Sequence, residues 1–427
     1  MKIEAPPAPA TQPATPAARR PGRLPVLAWA LYDFANTIYS MNVVSLYFAL
    51  WVVRDKGGSD ADYGLASSLS QALIFLTAPL LGALSDQTPR RMPFLAGTTL
   101  VCCACTALLG TWGVTISLAL FVVANYFFQA GLIFYDALLP SVSTEANRGR
   151  IGGLGIGLGY VGSFVGVGMG LAILEADPTA KPLIFRLTGL LFLLFALPCF
   201  LWVRELARPR SQTFGVAAVR RAFAELRDTA ANVRRYPGLA RFLVGRIFYA
   251  DAASTIIAFM AIYVTQEVGF SEREAQLVLL VGVAAAIVGG LAWGVIVDRI
   301  GPKRTLNLVL AVWAAVFGSA AAIAYLDLPS GLFWGVAVLA GLALGGTWAA
   351  DRPYMLRLTP PERLGQFYGL YAMVGRFAAI LGPLLWAAVV DWLRLGRPVA
   401  VLSLLAMIAV SYLVLRPVSD RPWEPAG

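Results

Sequence analysis

Asp33, Asp136, Asp251 and Asp351, together with Arg352 and Arg376, stand inside or at the ends of long apolar runs. An ionisable residue at the centre of a bilayer costs roughly 2.5–3.5 kcal/mol or more, so its presence there points to function. A carboxylate in such a place can take up and release a proton, and a guanidinium can hold an anionic group. The chain has no histidine, so any proton relay has to run through Asp or Glu. Helical rise puts Asp33 about 12 Å into its run, and Asp251 and Arg376 about 16–18 Å into theirs. Two readings compete. In one, Asp33 and Asp251 exchange protons and Arg376 anchors an anionic group of a solute. In the other, Arg376 only neutralises an aspartate and fixes the packing. Arg246, a few residues inside its run, is expected to snorkel to the surface. Asn36, Asn42, Gln71, Asn125, Gln129, Tyr160, Tyr368 and Tyr371 are available for neutral contacts.

Other chemistries find little to work with. Cys102, Cys103, Cys105 and Cys199 lie in apolar runs, without a histidine to complete a metal set, and read as small buried residues. There is no GxxxxGK[ST] phosphate loop, which argues against ATP hydrolysis. No catalytic residue, metal or cofactor is expected, and the chain is read as not an enzyme.

The elements that position the charged groups are membrane helices. Of 427 residues, 58% are hydrophobic and 14% charged, where a soluble domain carries charge on about a quarter of its residues. Lipid must be the solvent, which excludes a secreted or cytosolic enzyme. The net charge of +10 does not indicate a nucleic-acid partner, because the arginines sit between apolar runs. Runs long enough to cross a ~30 Å core cover 26–50, 61–84, 92–112, 115–139, 151–174, 183–203, 240–265, 274–297, 304–325, 331–351, 365–390 and 397–416. They are continuous, not alternating, which selects helices over barrel strands. Most of the 34 Lys and Arg fall in segments on the N-terminal side of the membrane, so both termini are expected to be cytoplasmic.

The implied organisation is a disordered cytoplasmic tail (1–25), a six-helix bundle (26–203), a cytoplasmic linker (204–239), a second six-helix bundle (240–416) and a short cytoplasmic tail (417–427). Within the linker, Val216, Val219, Phe223, Leu226, Ala230 and Val233 recur at steps of three and four, with arginines on the other faces. That pattern predicts a basic amphipathic helix on the membrane surface.

The halves repeat. Gly82-Ala-Leu-Ser-Asp86 is matched by Gly294-Val-Ile-Val-Asp298, each followed by cations, Arg90 and Arg91 in one half and Lys303 and Arg304 in the other. Arg150-Ile-Gly152 matches Arg363-Leu-Gly365, Gly162 matches Gly375, and Asp136 precedes Asp351 at a similar offset. Both halves start on the same side, so these are parallel repeats about an axis along the membrane normal.

The paired loops GALSDQTPRR and GVIVDRIGPKR resemble the signature loop of the major facilitator superfamily. The stretches LYDFANTIYS, FYDALLPSVSTEANRGRIGGLGIGLGYVG, RFLVGRIFYADAASTI and FYGLYAMVGRFAAILGPLL look like its vacuolar effluxer-like branch, which is named for autophagy-related amino-acid exporters. The chain departs from that branch at Asp136, where Asn is usual, and at Thr37, where Ser is usual. In the first signature loop, Pro89 stands where the superfamily prefers Gly.

The resemblance implies an all-α membrane protein of twelve helices, with spans 1, 4, 7 and 10 lining a central cavity. It also implies a conformational latch of Gly82, Asp86, Arg90, Arg91, Gly294, Asp298, Lys303 and Arg304. There Asp86 and Asp298 would accept from helix N-termini of the opposite half, near Gly365 and Ile151. Span 5, GGLGIGLGYVGSFVGVGMG, carries glycine at a density that permits tight sliding contact between backbones.

The expected activity is alternating-access transport of a small polar solute, with amino-acid efflux and proton coupling as the finer reading. Asp33, Asn36, Asp136, Asp251, Asp351 and Arg376 are the expected solute- or proton-binding residues. Alternatives are a lipid or drug exporter of the same fold, a channel, or a non-transporting receptor or scaffold. The expected partners are a small-molecule solute, protons and the lipid bilayer. The expected setting is a monomer in a bacterial inner membrane.

Overall fold

The computed structural model describes residues 22–58, 60–205, 220–221, 224, 227–228 and 237–421. The expected amphipathic linker helix and most of the expected N-terminal tail lie outside the described residues.

Twelve long helical segments follow one another: α1 (Arg23–Tyr39), α2 (Asp60–Asp86), α3 (Met92–Ala107), α4 (Val114–Asp136), α5 (Arg148–Ala176), α6 (Lys181–Trp202), α7 (Pro237–Gln266), α8 (Glu272–Ile300), α9 (Pro302–Tyr325), α10 (Phe333–Leu358), α11 (Leu364–Ala387) and α12 (Arg397–Leu415). There is no strand among the described residues. Ten of the described helices are long and apolar enough to cross a membrane, and Met92–Ala107 is a shorter apolar helix. It ends well short of the run expected over 92–112, because the chain turns at Gly110, whose φ is +75°.

The helix ends have local causes. Proline stands in the first turn of α3, α6, α9 and α12, where its missing N–H has no partner to lose. Ser271 and Glu274 form a reciprocal capping box at α8. Gly301, with φ +89°, makes the tight turn between α8 and α9. Beyond Tyr39 the first segment continues through a π-helical stretch, Ser40–Leu46.

In the first six helices α1 packs on α5 and α6, α2 on α4, and α3 on α4 and α6. In the second six α7 packs on α11 and α12, α8 on α10, and α9 on α10 and α12. The five main pairings recur in the same order. Across the molecule the halves meet along α2–α11 and α5–α8, with α5–α10 and α4–α11 beside them.

Glycine sets the distance at those seams. A Cβ at Gly82 would lie 1.9 Å from the Gly365 carbonyl oxygen, and one at Gly153 would lie 2.3 Å from that of Gly290. The other face of α5 rests on α1, where a Cβ at Gly162 would lie 2.3 Å from the Phe34 carbonyl oxygen. Backbone therefore meets backbone between α2 and α11, between α5 and α8, and between α5 and α1.

Gly82→Ala should force α2 and α11 apart and lower the melting temperature of the purified protein, by the equivalent of about 1–3 kcal/mol of overpacking. Gly168, where a Cβ meets nothing within 4 Å, serves as the comparison. Gly168→Ala should leave melting unchanged or raise it, and equal losses in the two variants would contradict the seam contact.

Candidate functional site

The helical period puts Asp33, Asn36, Thr37 and Ser40 on one face of the first segment, and all four line a cavity of about 380 Å³. Phe128, Gln129 and Leu132 from α4, Ile156, Gly159 and Tyr160 from α5, Trp348 and Arg352 from α10 and Arg376 from α11 complete the wall. Both halves contribute.

Aromatic stacking fixes the acidic side of this cavity. Tyr135 stacks on both Trp29 and Tyr32 at 4.7 Å between ring centroids. Its hydroxyl donates to the Trp29 carbonyl (3.0 Å), while the Trp29 indole N–H donates to the Tyr135 carbonyl (3.4 Å). This locks α1 to α4, so that Asp33 and Asp136 face the same cation. That cation is Arg352 of the other half. Its Nη1 donates to Asp33 Oδ2 (2.8 Å) and its Nε lies 3.1 Å from Asp136 Oδ1. Gly155 leaves the room this needs, since a Cβ there would lie 2.6 Å from Asp33 Oδ2.

The remaining wall is sparsely satisfied. Arg376 donates to the Gln129 side-chain oxygen across the halves and has no acidic partner among the described residues. Asn36 is 5% exposed, and neither its amide oxygen nor its amide nitrogen has a partner.

Several expected site residues do not line the cavity, Asp136 among them although it pairs with Arg352. Asp351, next in sequence to Arg352, does not line the cavity. It is fully buried, pairs with Arg246 (3.0 Å) and accepts from the Tyr371 (2.6 Å) and Tyr249 hydroxyls (2.5 Å). Arg246 also donates to the Tyr371 carbonyl and lies over its ring, 3.5 Å from the centroid. The expectation that Arg246 snorkels to the surface is therefore corrected: a carboxylate on α10 holds it inside.

Asp251 is fully buried and turned toward α11, where its Oδ1 accepts from the Gly382 N–H (2.8 Å) and the Thr255 hydroxyl (3.4 Å). Among the described residues none from α7 lines this cavity, whereas the resemblance implies that it does. The alternative in which Arg376 neutralises an aspartate is corrected too, because its partner is an amide. Sequence reading places Arg352 at the end of its span without a role. Its signal is a cation beside an acid in an apolar run.

On the signature-loop side the halves are joined. Gly365 and Gln366 N–H groups, at the start of α11, donate to the two Asp86 carboxylate oxygens (2.9 and 2.8 Å). In the other half Gly149 and Arg150 N–H groups, at the start of α5, donate to Asp298 (2.6 and 3.1 Å). The partners fall close to the expected Gly365 and Ile151. The cations differ from expectation. Arg91 pairs with Asp86, and the Arg150 guanidinium pairs with Asp298 (2.8 Å). Arg90 and Arg304 are exposed. Lys303 turns away to the Arg416 and Val418 carbonyls of the C-terminal segment.

A polar cavity between two similar bundles, with matched clasps on one side, is the arrangement of a carrier that opens alternately to either face. Comparison with known proteins gives it a place. The profile of the Major Facilitator Superfamily matches residues 33–250, so the chain is a secondary transporter and not an enzyme. The profile described as Vacuole effluxer Atg22 like matches residues 142–421, and the chain belongs to that family.

The chain is 27% identical over 409 residues to the protein named uncharacterized MFS-type transporter YxiO of Bacillus subtilis, covering 91% of this chain and 93% of that one. It is 23% identical to autophagy-related protein 22-1 of Neosartorya fischeri, over 62% of this chain and 48% of that one. Two similar solved structures share the fold, each with a TM-score of 0.71 and coverage of 94% of this chain and 100% of the other. They are the human organic anion transporter MFSD10 at 18% identity and a bacterial homologue of the iron transporter ferroportin, in an outward-facing state, at 17%.

The two clasps should respond differently to neutralisation. Asp298→Asn, whose partner Arg150 has a side chain 60% exposed, should shift the population toward the form open on the latch side with little loss of stability. A carboxylate at a helix N-terminus contributes up to ~2 kcal/mol, or about 30-fold in that population. Asp86→Asn should also strand the buried Arg91 guanidinium and lower stability by about 3–5 kcal/mol. Labelling of a Ser40→Cys cavity reporter from the latch side reads the first effect and melting reads the second. An unchanged labelling rate in Asp298→Asn would remove the latch role.

Proposed function

We propose that this transporter exports a small polar solute carrying a carboxylate, an amino acid or a close relative, by alternating access coupled to protons. The observation that carries the reading is Arg376: a guanidinium on the cavity wall, bonded across the halves to a neutral amide and to no acid among the described residues. Arg376 is half-buried, and a cation partly withdrawn from water without a counter-ion is unfavourable unless a ligand supplies one. The Gln129 contact is weak enough to be exchanged for a solute carboxylate. A cavity of about 380 Å³ suits a small solute. Neither pole of Asn36 has a partner, which leaves a donor and an acceptor for the rest of the molecule. The names of relatives agree with this chemistry: the family is described as an effluxer, and one structural neighbour is named an organic anion transporter.

Proton coupling is assigned to Asp251. Asp33, Asp86, Asp136, Asp251 and Asp351 are buried. All but Asp251 have an arginine beside them, while Asp251 Oδ2 has no hydrogen-bond partner among the described residues. An acid without a counter-ion changes its charge without breaking an ion pair, which a proton carrier requires. Asp33 is left to the solute side of the cavity. The cytoplasmic face of a bacterial inner membrane is then the latch side, and the chain acts as a monomer.

Reconstitution into vesicles with an imposed pH gradient tests the reading, with uptake of a panel of radiolabelled amino acids as the assay. Arg376→Ala should raise the half-saturating concentration of the transported solute by about 10–150-fold, the scale of a charged hydrogen bond worth 1.5–3 kcal/mol. Asp251→Asn should abolish gradient-driven accumulation while sparing exchange at equal concentrations. Wild-type accumulation in Asp251→Asn would refute proton coupling through this residue. An unaltered half-saturation in Arg376→Ala would refute the carboxylate anchor.

A further inference from the structure

We propose that Arg352 is a tethered cation: with the latch closed it occupies the subsite that the ammonium group of a zwitterionic solute fills when the latch side opens. The inference rests on the reading of Arg376 as the carboxylate anchor and adds the opposite pole of the same solute.

The charge count leads to it. Asp33 on α1 and Asp136 on α4 belong to one half, and Arg352 on α10 belongs to the other. Arg352 Nη1 and Nη2 lie 2.8 and 3.4 Å from the Asp33 oxygens, and Nε lies 3.1 Å from Asp136. The side chains of Arg352, Asp33 and Asp136 are only 14%, 7% and 10% exposed. Two carboxylates thus share one guanidinium. No other described cation pairs with either acid: Arg246 is bonded to Asp351, and Arg376 to Gln129. Two tyrosines lie beside the cation. Tyr135 carries its ring 5.7 Å from the guanidinium, and the Tyr368 hydroxyl donates to the Arg352 carbonyl (3.3 Å).

Movement of the halves treats these pairs differently. Arg246 and Asp351 lie on α7 and α10 of the same half and move together. The Arg352 pair spans the seam, so opening the latch side draws the guanidinium away. What remains is a pair of carboxylates, Asp33 on the cavity wall and Asp136 off the lining, held in place because Trp29, Tyr32 and Tyr135 tie α1 to α4. A double negative charge at a poorly hydrated wall demands a cation. The place vacated by Arg352 opens on the same cavity as Arg376 and Asn36. Asn36 lies one turn along α1 from Asp33 on the same cavity wall as Arg376, and its unpartnered amide atoms suit the uncharged part of a molecule charged at both ends.

The exchange gives release a direction. With the latch side open, the solute ammonium neutralises the pair. When that side closes, Arg352 returns, displaces the ammonium and leaves the solute held by its carboxylate alone on the side that is opening.

The test uses purified full-length protein, thermal-shift and binding measurements, and two probes at matched ionic strength, methylammonium chloride and sodium acetate. Arg352→Gln removes the tethered cation. It should bind methylammonium at least tenfold more tightly than wild type does, while acetate binding is unchanged. Asp298→Asn, which opens the latch with the subsite intact, should show a gain in the same direction and keeps the test valid if Arg352→Gln fails to fold. Acetate binding should be lost in Arg376→Ala without effect on the methylammonium gain. If acetate never binds but the methylammonium gain is seen, the Arg376 reading fails and this inference stands. If neither variant gains affinity for methylammonium over sodium, the tethered-cation role is overturned. It is overturned equally if Arg352→Gln is stabilised only by lowering the pH, since a proton would then be the replacing cation.

Discussion

A charge held between helices in a membrane has to be matched, because neither lipid nor packed side chains can solvate it. In this transporter the origin of the match, from the same half or from the other, divides the charges into two kinds. Arg246 with Asp351, and Arg91 with Asp86, are matched inside one half. Breaking such a buried pair costs about 3–5 kcal/mol, which favours halves that move as rigid units. Arg352 with Asp33 and Asp136, Arg376 with Gln129, and the two latch aspartates with the starts of α11 and α5 are matched across the seam. These are the contacts that a change of access must undo and remake, and the cavity lies among them.

The seam itself is suited to being undone. Lipid is as apolar as a leucine side chain, so burial of apolar surface does little to hold transmembrane helices together, and close backbone packing takes its place. Glycine at 82 and 153 sets the backbone against the Gly365 and Gly290 carbonyls, with the Ser85 and Ile156 side chains reaching the facing glycines closely. A smooth seam of this kind resists sliding less than interdigitated side chains would. What holds the latch side shut is then mostly polar: carboxylates on helix N-termini, each contributing at most ~2 kcal/mol. The same α5 packs on α1 through its other glycine face, so the acidic wall of the cavity and the gliding surface belong to one helix.

Much of this is legible in the residues. The order of the helical segments follows from hydropathy, ten of the described ones being long and apolar enough to cross a membrane and α3 ending short of its run. The carboxylate contacts of Asp86 and Asp298 with helix N-termini of the opposite half are legible because their motif is local and occurs twice. The charged candidates are legible from their rarity in apolar runs. Their pairing is not, because it depends on the rotation of each helix about its axis, which a run of apolar residues on every side does not define. Arg246 illustrates the loss: depth along α7 suggests a snorkelling side chain, whereas Asp351 on α10 holds it inside. Asp251 illustrates it again, since its helix presents it to Gly382 of α11 and not to the cavity. Arg352 is marked only as a cation beside an acid, and its partner stays hidden because it stands at a predicted span end, which in the structure continues to Leu358.

Asp351 and Arg352 show why adjacent opposite charges on one helix are more than a neutral pair. Consecutive residues on an α-helix point about 100° apart, and here Arg352 lines the cavity while Asp351 does not. Asp351 is anchored by Arg246, Tyr249 and Tyr371, all of its own half. That anchor fixes the rotation of α10, and the rotation aims Arg352 across the seam at Asp33. The buried pair, which takes no part in lining the cavity, thereby sets where the exchangeable cation can reach. A cluster read from burial alone as inert packing is thus the reference against which the mobile contact is positioned. The fully satisfied carboxylate is needed for the geometry, and the shared guanidinium beside it for the exchange.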